Sequence, residues 1–117
     1  MLTPLAIFIG GGIGAVGRWA LTQLMSHYCP FLPYGIVMCN IIGSFLIGLL
    51  YGYFPKPSLL ISTLTIGVLG GFTTFSSFAL DGMKLIEQHQ WFPFFLYITL
   101  SVFLGLGACH VGYTLAK

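Results

Sequence analysis

The sequence predicts an all-α integral membrane protein with four transmembrane helices and a break inside the third. Only 5% of its 117 residues are charged and 57% are hydrophobic, whereas a soluble domain carries about 25% charged residues. The charged residues leave four apolar runs, at 1–17, 19–55, 57–80 and 88–116, and a spanning helix needs about 20 such residues. The stretch 67–82, GVLGGFTTFSSFALDG, adds a Gly-Gly pair and several hydroxyls at membrane depth, where irregular backbone needs protein or water to receive its polar groups.

Proline positions divide the longest apolar run into two helices. Pro30 and Pro33 cannot continue a helix smoothly. Cutting there predicts a single four-helix domain over 1–117, and its expected spans lie at about 3–26, 33–54, 58–87 and 91–116. We expect no cleaved signal segment, because the first apolar run is too long for one. The predicted location is therefore a cell membrane, crossed several times.

The basic residues do not favour one orientation in the membrane. With four spans, Lys56 and Lys117 lie on one side, and Lys84 and Arg18 lie towards the other. The excess of positive charge that normally fixes orientation is therefore absent. This balance predicts insertion in both orientations and an antiparallel homodimer of oppositely inserted copies.

Small residues in helices one and two predict close helix packing. Gly10 and Gly14 in helix one, and Gly48 and Gly52 in helix two, are pairs at spacing four. Such pairs allow helix backbones to approach closely. The three cysteines, Cys29, Cys39 and Cys109, lack the spacing of a metal site, so we expect Cys39 and Cys109 to be helix residues and Cys29 to lie in a loop.

Two polar side chains in the first two helices each allow two interpretations. Arg18 lies too deep for easy snorkelling, so it either lines an aqueous vestibule that attracts anions or anchors the helix at the interface. Asn40 either holds helices together or presents its NH₂ group to a permeating anion, and helix two alone favours the structural role.

The third helix carries the expected site. At 100° per residue, Thr73, Ser76 and Ser77 share one face, and Phe75 and Phe78 lie on an adjacent face. The alternative is a plain packing face beside a lipid-facing aromatic ridge.

We place the helix break at Gly70–Gly71. Unwinding from Gly70 to Thr73 would expose backbone carbonyls, which are hard oxygen ligands suited to Na⁺. A two-fold dimer axis through the break would double the ligands from two to four.

In helix four, Tyr97, Ser101 and Gly105 recur at spacing four and share one face. The expected lining consists of this face of helix four, Asn40, the helix-three hydroxyls and the phenylalanine ring edges. These groups donate hydrogen bonds or carry partial positive charge, and no buried carboxylate is expected among them. Such a lining favours a small anion over a cation.

Three motifs resemble the Fluc (CrcB) family of fluoride channels in order and spacing over essentially the whole chain. GGFTTFSSF at 70–78 is similar to the family's helix-three signature, GRW at 17–19 to its helix-one motif, and N-x-x-G-S-F at 40–45 to its helix-two motif. The resemblance implies a dual-topology antiparallel dimer with two fluoride pores and a central structural Na⁺. It also implies passive export of cytoplasmic fluoride, which lowers fluoride toxicity.

The resemblance further assigns roles to individual residues. Gly70 and Thr73 would give backbone carbonyls to Na⁺, Phe75 and Phe78 would present ring edges to fluoride, and Asn40 would be an amide donor in the pore. The remaining pathway residues would be the helix-three hydroxyls Thr74 and Ser77, the helix-four residues Tyr97 and Ser101, and Arg18 near the vestibule. Two departures remove a hydroxyl, at Ile36 and Gly105. Some members pair different subunits, so a homologous partner subunit remains an alternative to a second copy.

Three other classes of protein fit less well. A proton-coupled multidrug transporter needs a membrane-embedded carboxylate, and Asp81 and Glu87 are expected at the end of helix three. A purely structural subunit leaves the hydroxyl-rich break without a reason. An enzyme is not expected, because His27, His89 and His110 are far apart and no nucleophile has a base at suitable spacing. Nucleic acid is not an expected partner.

Overall fold

Four helices in the computed structural model, which describes residues 2–28 and 34–116, are long and apolar enough to cross a membrane. They are α1 (Leu2–Tyr28), α2 (Tyr34–Tyr53), a third span (Leu59–Glu87) and a last helix (Trp91–Ala116). The all-α prediction is confirmed, and the expected span limits differ from these by no more than two residues. The predicted loop with Cys29 and Pro33, and the position of Lys117, lie outside the described residues.

The third span is divided into four pieces. It consists of α3 (Leu59–Ser62), a π-helix (Thr63–Leu69), α4 (Gly70–Phe72) and α5 (Ser76–Glu87), and the last span, Trp91–Ala116, is α6. Thr73 has extended backbone, with φ −88° and ψ 155°, so the chain leaves the helical path between α4 and α5. The predicted break therefore exists and includes Thr73, the last residue of the predicted unwound segment. The prediction that Gly70 and Gly71 form the break is wrong, because both glycines are helical.

Glycines in α1 receive the backbone of the third span. A Cβ atom added to Gly14 would collide with Val68 O and lie 2.8 Å from Phe72 N, and one added to Gly10 would lie 2.9 Å from Thr63 O. A Cβ atom on Gly71 would likewise collide with Gly11 O. Gly71 is thus needed for close helix packing rather than for an irregular backbone, whereas a Cβ atom on Gly70 would make only an ordinary contact, 3.6 Å from Thr65 O.

The second pair of packed helices, α2 and α6, also approach closely through glycines. A Cβ atom on Gly48 would collide with Cys109 O, and one on Gly112 would collide with Phe45 O. Gly52 lies in the same seam, where an added Cβ atom would be 2.6 Å from the Ala116 Cβ atom. The packing role predicted for the spacing-four glycine pairs is confirmed in both helices.

Local signals explain where the third span begins and ends. Ser58 Oγ accepts the Ile61 N–H at 3.1 Å, which caps α3 at its start. At the other end His89 adopts a left-handed conformation with φ 56°, and the Gln90 N–H donates to Leu85 O at 3.0 Å. This is the six-to-one bond that commonly closes a helix C-terminus.

Gly14→Ala should reduce the free energy of unfolding by about 2 kcal/mol, because the added methyl group meets rigid backbone of the third span. Gly12→Ala is the matched control on the same helix, since nothing lies within 4 Å of its added Cβ atom. Thermal unfolding of the purified protein in detergent measures the difference. Equal unfolding temperatures for the two variants would show that this contact does not limit stability.

Candidate functional site

The break in the third span is held by a side chain from α2. Asn40 Nδ2 donates to Thr74 O at 3.1 Å, and Asn40 Oδ1 accepts the Thr74 N–H at 2.9 Å. The amide therefore replaces both hydrogen bonds that the backbone of Thr74 would make in a continuous helix. A backbone break in hydrocarbon needs such replacement partners.

Neighbouring hydroxyls add local hydrogen bonds at the break. Thr74 Oγ1 accepts the Ser77 N–H at 3.2 Å and lies 3.2 Å from Ser76 Oγ. Thr73 Oγ1 donates to Leu69 O at 3.0 Å. The hydroxyl cluster seen in the sequence thus closes the end of α4 and opens α5.

The carbonyls of Gly70 and Thr73, like that of Thr74, lose their helical donors at the break. The N–H that would bond to Gly70 O in a continuous helix belongs to Thr74, and it donates to Asn40 instead. The corresponding donor for Thr73 O belongs to Ser77, and it donates to Thr74 Oγ1. These are the two carbonyls that the resemblance assigns to Na⁺.

A cleft of about 350 Å³ opens beside the break, between α2 and the third span. Its walls combine polar and apolar side chains, and among the described residues none of those lining it is charged. The lining residues are Asn40, Gly43, Ser44, Ile47, Thr65, Leu69, Gly70, Thr73, Thr74 and Phe75. Five predicted site residues therefore meet at one cavity.

Aromatic rings connect this cleft to α6. The Phe75 and Phe78 ring centroids are 5.7 Å apart, and Phe78 stacks on Tyr97 with centroids 5.0 Å apart and an interplanar angle of 17°. Phe75 is 79% exposed in the single chain, whereas Tyr97 is only 4% exposed. The three rings run from an open surface into a core that Val37 and Leu85 complete.

The other predicted site residues lie further away. Ser101 Oγ is buried and has no hydrogen-bond partner in the described part of the chain. Arg18 is partly exposed, does not line the cleft, and its carbonyl oxygen lies 3.9 Å from the Cys39 Sγ donor. The structure therefore does not bring Arg18 to the break.

The structure adds residues that the sequence analysis did not place at the site. Ser44 and Thr65 line the cleft. Asp81 lies within α5, well before its end at Glu87, and its Oδ2 accepts the Tyr97 hydroxyl at 3.5 Å. The expectation of a site without a carboxylate therefore does not hold around Tyr97. The spacing of Asp81, three residues after Phe78, was the available signal, because it places both side chains on one helix face.

A model of the family described as CrcB-like protein, Camphor Resistance (CrcB), matches residues 5–113. The chain belongs to the CrcB family. This match confirms the resemblance inferred from the three sequence motifs.

Three relatives of this CrcB-family chain carry the name fluoride-specific ion channel FluC. The relative from Flavobacterium psychrophilum is 42% identical over 123 residues, covering 100% of this chain and 98% of the relative. That from Francisella tularensis (strain FSC 198) is 42% identical over 120 residues, covering 96% and 92% respectively. A relative from Gloeothece citriformis is 38% identical over 124 residues, covering 100% and 98%.

Family and fold agree on where the protein resides. Four membrane-length helices in a family whose relatives are named ion channels identify a multi-pass protein of the cell membrane. The relatives' names are those of a channel family rather than an enzyme family, as expected from the sequence.

Asn40→Ala should reduce the free energy of unfolding by about 2–4 kcal/mol, because it leaves the N–H and the carbonyl of Thr74 without partners. It should also speed hydrogen exchange at the Thr74 amide. Ser101→Ala is the control, because its hydroxyl has no partner to lose within the described residues. The pairing would not stabilise the break if both variants unfolded at the same temperature and the Thr74 amide kept its protection.

Proposed function

We propose that this protein is a fluoride-selective passive channel. The observation that carries the proposal is the cleft beside the break, where an amide, hydroxyls and a phenylalanine converge, in a chain whose relatives are named fluoride-specific ion channels. Passive permeation requires a path that an ion enters and leaves readily. A cleft without a fixed charge among its described lining residues meets that requirement.

The chemistry of the lining favours a small anion. Amide and hydroxyl groups donate hydrogen bonds, and the edges of aromatic rings carry partial positive charge. A strongly hydrated anion needs such donors to offset the loss of water. A lysine or arginine in the same place would hold the ion too tightly for rapid passage.

Phe75 and Phe78 are the residues that we propose to contact fluoride through their ring edges. Phe78 is fixed by stacking on Tyr97, whereas Phe75 projects from the single chain with 79% of its surface exposed. A second copy that covers Phe75 would place its edge in a narrow pore. Ser77 and Ser101 would supply hydroxyls along the same path, and Arg18 would attract anions from a vestibule. Thr74 and Tyr97 would line the path with hydroxyls that are already bonded to Ser77 and Asp81.

Asn40 has both of the roles considered for it in this proposal. One hydrogen of its NH₂ group bonds to Thr74 O, and an amide NH₂ has two hydrogens. The second has no hydrogen-bond partner among the described residues, and Asn40 lines the cleft. Asn40 therefore holds the break in place and still has one donor for an anion.

The proposed assembly is an antiparallel dimer of two copies, or of this chain and a homologous subunit, with a structural Na⁺ at its centre. Support comes from the carbonyls of Gly70 and Thr73, whose helical donors are bonded elsewhere, and both residues line the cleft. Oxygen ligands of this kind suit a hard cation. A bound Na⁺ would supply the positive charge that holds carbonyls from two copies together.

Export follows from the membrane potential. A negative interior favours anion exit by about 2.3 kcal/mol per charge for each 100 mV. Fluoride enters acidic surroundings as the neutral acid HF, which dissociates inside the cell and leaves the anion trapped. A passive fluoride path therefore lowers cytoplasmic fluoride and protects the enzymes that it poisons.

Liposomes containing the purified protein should release fluoride rapidly and chloride slowly when a potassium ionophore carries the balancing charge. Phe75→Ile should reduce fluoride release by about tenfold or more, because isoleucine has no polarised ring edge. Phe92→Ile is the matched control, since Phe92 is 78% exposed in the single chain and lies at the start of α6. A well-folded protein that releases no fluoride, or that releases chloride equally fast, would contradict the channel proposal.

Replacing Na⁺ by N-methyl-D-glucamine should lower the unfolding temperature of the dimer. Binding at 100 times the dissociation constant stabilises the bound form by about 2.7 kcal/mol, and this contribution disappears with the ion. Light scattering after size exclusion reports the mass, and K⁺ at equal concentration controls for ionic strength. Identical unfolding temperatures in all three salts would argue against the sodium site, and a monomeric mass would argue against the dimer.

A further inference from the structure

The polar side chains of the cleft differ in whether their hydrogens are already bonded. Thr65 Oγ1 donates to Ile61 O at 2.8 Å, and Thr73 Oγ1 donates to Leu69 O at 3.0 Å. Each is the bond to the carbonyl four residues earlier that hydroxyls in helices commonly make. The Asn40 amide and Thr74 Oγ1 are bonded within the break.

Ser44 is the exception among these cleft residues. It lies one turn after Asn40 on α2 and lines the cleft, but its hydroxyl has no hydrogen bond to any described residue. A hydroxyl at membrane depth gains most from a partner. Ser44 is thus the cleft hydroxyl with its proton free for a ligand.

The residue facing Ser44 across the helix pair is Gly105 of α6. A Cβ atom added to Gly105 would lie 3.7 Å from Ser44 Oγ, which is an ordinary contact distance. Gly105 follows Tyr97 and Ser101 at spacing four on one face of α6. The row of hydroxyls on α6 therefore ends before Gly105. The side-chain oxygen that lies next to Gly105 is Ser44 Oγ of α2.

We propose that Ser44 is a fluoride-contacting residue, and that its hydroxyl continues the row that Tyr97 and Ser101 begin and Gly105 interrupts. This inference rests on the proposed channel function. An anion leaving Ser101 without water needs another donor within about one helical turn. Ser44 supplies that donor from α2, and Gly105 leaves the space beside it open.

Rescue from the opposite helix tests the proposal. Ser44→Ala should reduce fluoride release from liposomes by about tenfold, which is the effect expected from losing one hydrogen bond to a charged group. Adding Gly105→Ser should restore release to within about twofold of the original protein, because the new hydroxyl fits without a backbone shift. The matched control, Ser44→Ala with Gly105→Ala, fills the same space without a donor and should not recover.

The outcomes separate the two proposals. If the original protein releases fluoride and Ser44→Ala does so equally fast, Ser44 is not on the path and only this inference fails. If Gly105→Ser and Gly105→Ala restore release equally, Ser44 acts through packing and the inference also fails. If the original protein releases no fluoride, the channel function fails and this inference fails with it.

A second pair of variants keeps the test decisive if Ser44→Ala does not fold. Ser44→Thr retains the hydroxyl and should retain release, whereas Ser44→Cys has nearly the same size but a weak donor and should lose most of it. Size exclusion and thermal unfolding establish that each variant is folded. Equal release by the threonine and cysteine variants would overturn the proposal.

Discussion

The interaction on which the rest of the structure depends is the pairing of the Asn40 amide with the backbone of Thr74. Hydrocarbon offers no water to an open N–H or carbonyl group, so a helix cannot stop inside a membrane unless another part of the protein replaces its hydrogen bonds. Asn40 replaces two of them from a different helix. The extended backbone at Thr73, the projection of Phe75 and the cleft beside them all follow from that replacement.

The glycine contacts make this pairing possible. α1 lies directly on the first half of the third span, where Gly14 meets Val68 and Phe72, and α2 lies directly on α6, where Gly48 meets Cys109. These contacts leave little freedom for either helix pair to slide, since interhelical backbone contacts are rigid. A Cβ atom on Gly43 of α2 would collide with Thr73 Cγ2, so α2 also packs directly on the break and presents Asn40 at the level of Thr74. The glycines have no chemistry of their own, yet they fix the positions of the residues that do.

The polar groups around the break differ in what they bind. Thr65, Thr73 and Thr74 bond within the protein and stabilise an unusual backbone, while the carbonyls of Gly70 and Thr73 lose their helical donors. Ser44 and Asn40 line the cleft, and the Ser44 hydroxyl and one hydrogen of the Asn40 amide have no described partner. In the proposed channel, the first group builds the site, the carbonyls bind the structural cation, and the last group meets the permeating anion. The sequence alone does not show which of its hydroxyls stabilise the backbone and which are available to an ion.

The sequence by itself determined the four spans, the all-α class, the existence of a break and the family, because each depends on residue type and local spacing. Charge gaps and prolines located the helices to within two residues, and GGFTTFSSF carried the family signature. Only the tertiary structure decided where the break lies, because Thr74 leaves the helix through an amide 34 positions away in the chain. Ser44 could not be predicted from the sequence for the same reason. It becomes a candidate fluoride-contacting residue only in the folded protein, where Gly105 of α6 lies beside it. Contacts between helices that are distant in the chain depend on tertiary packing, so the local spacing of residues in the sequence does not predict them.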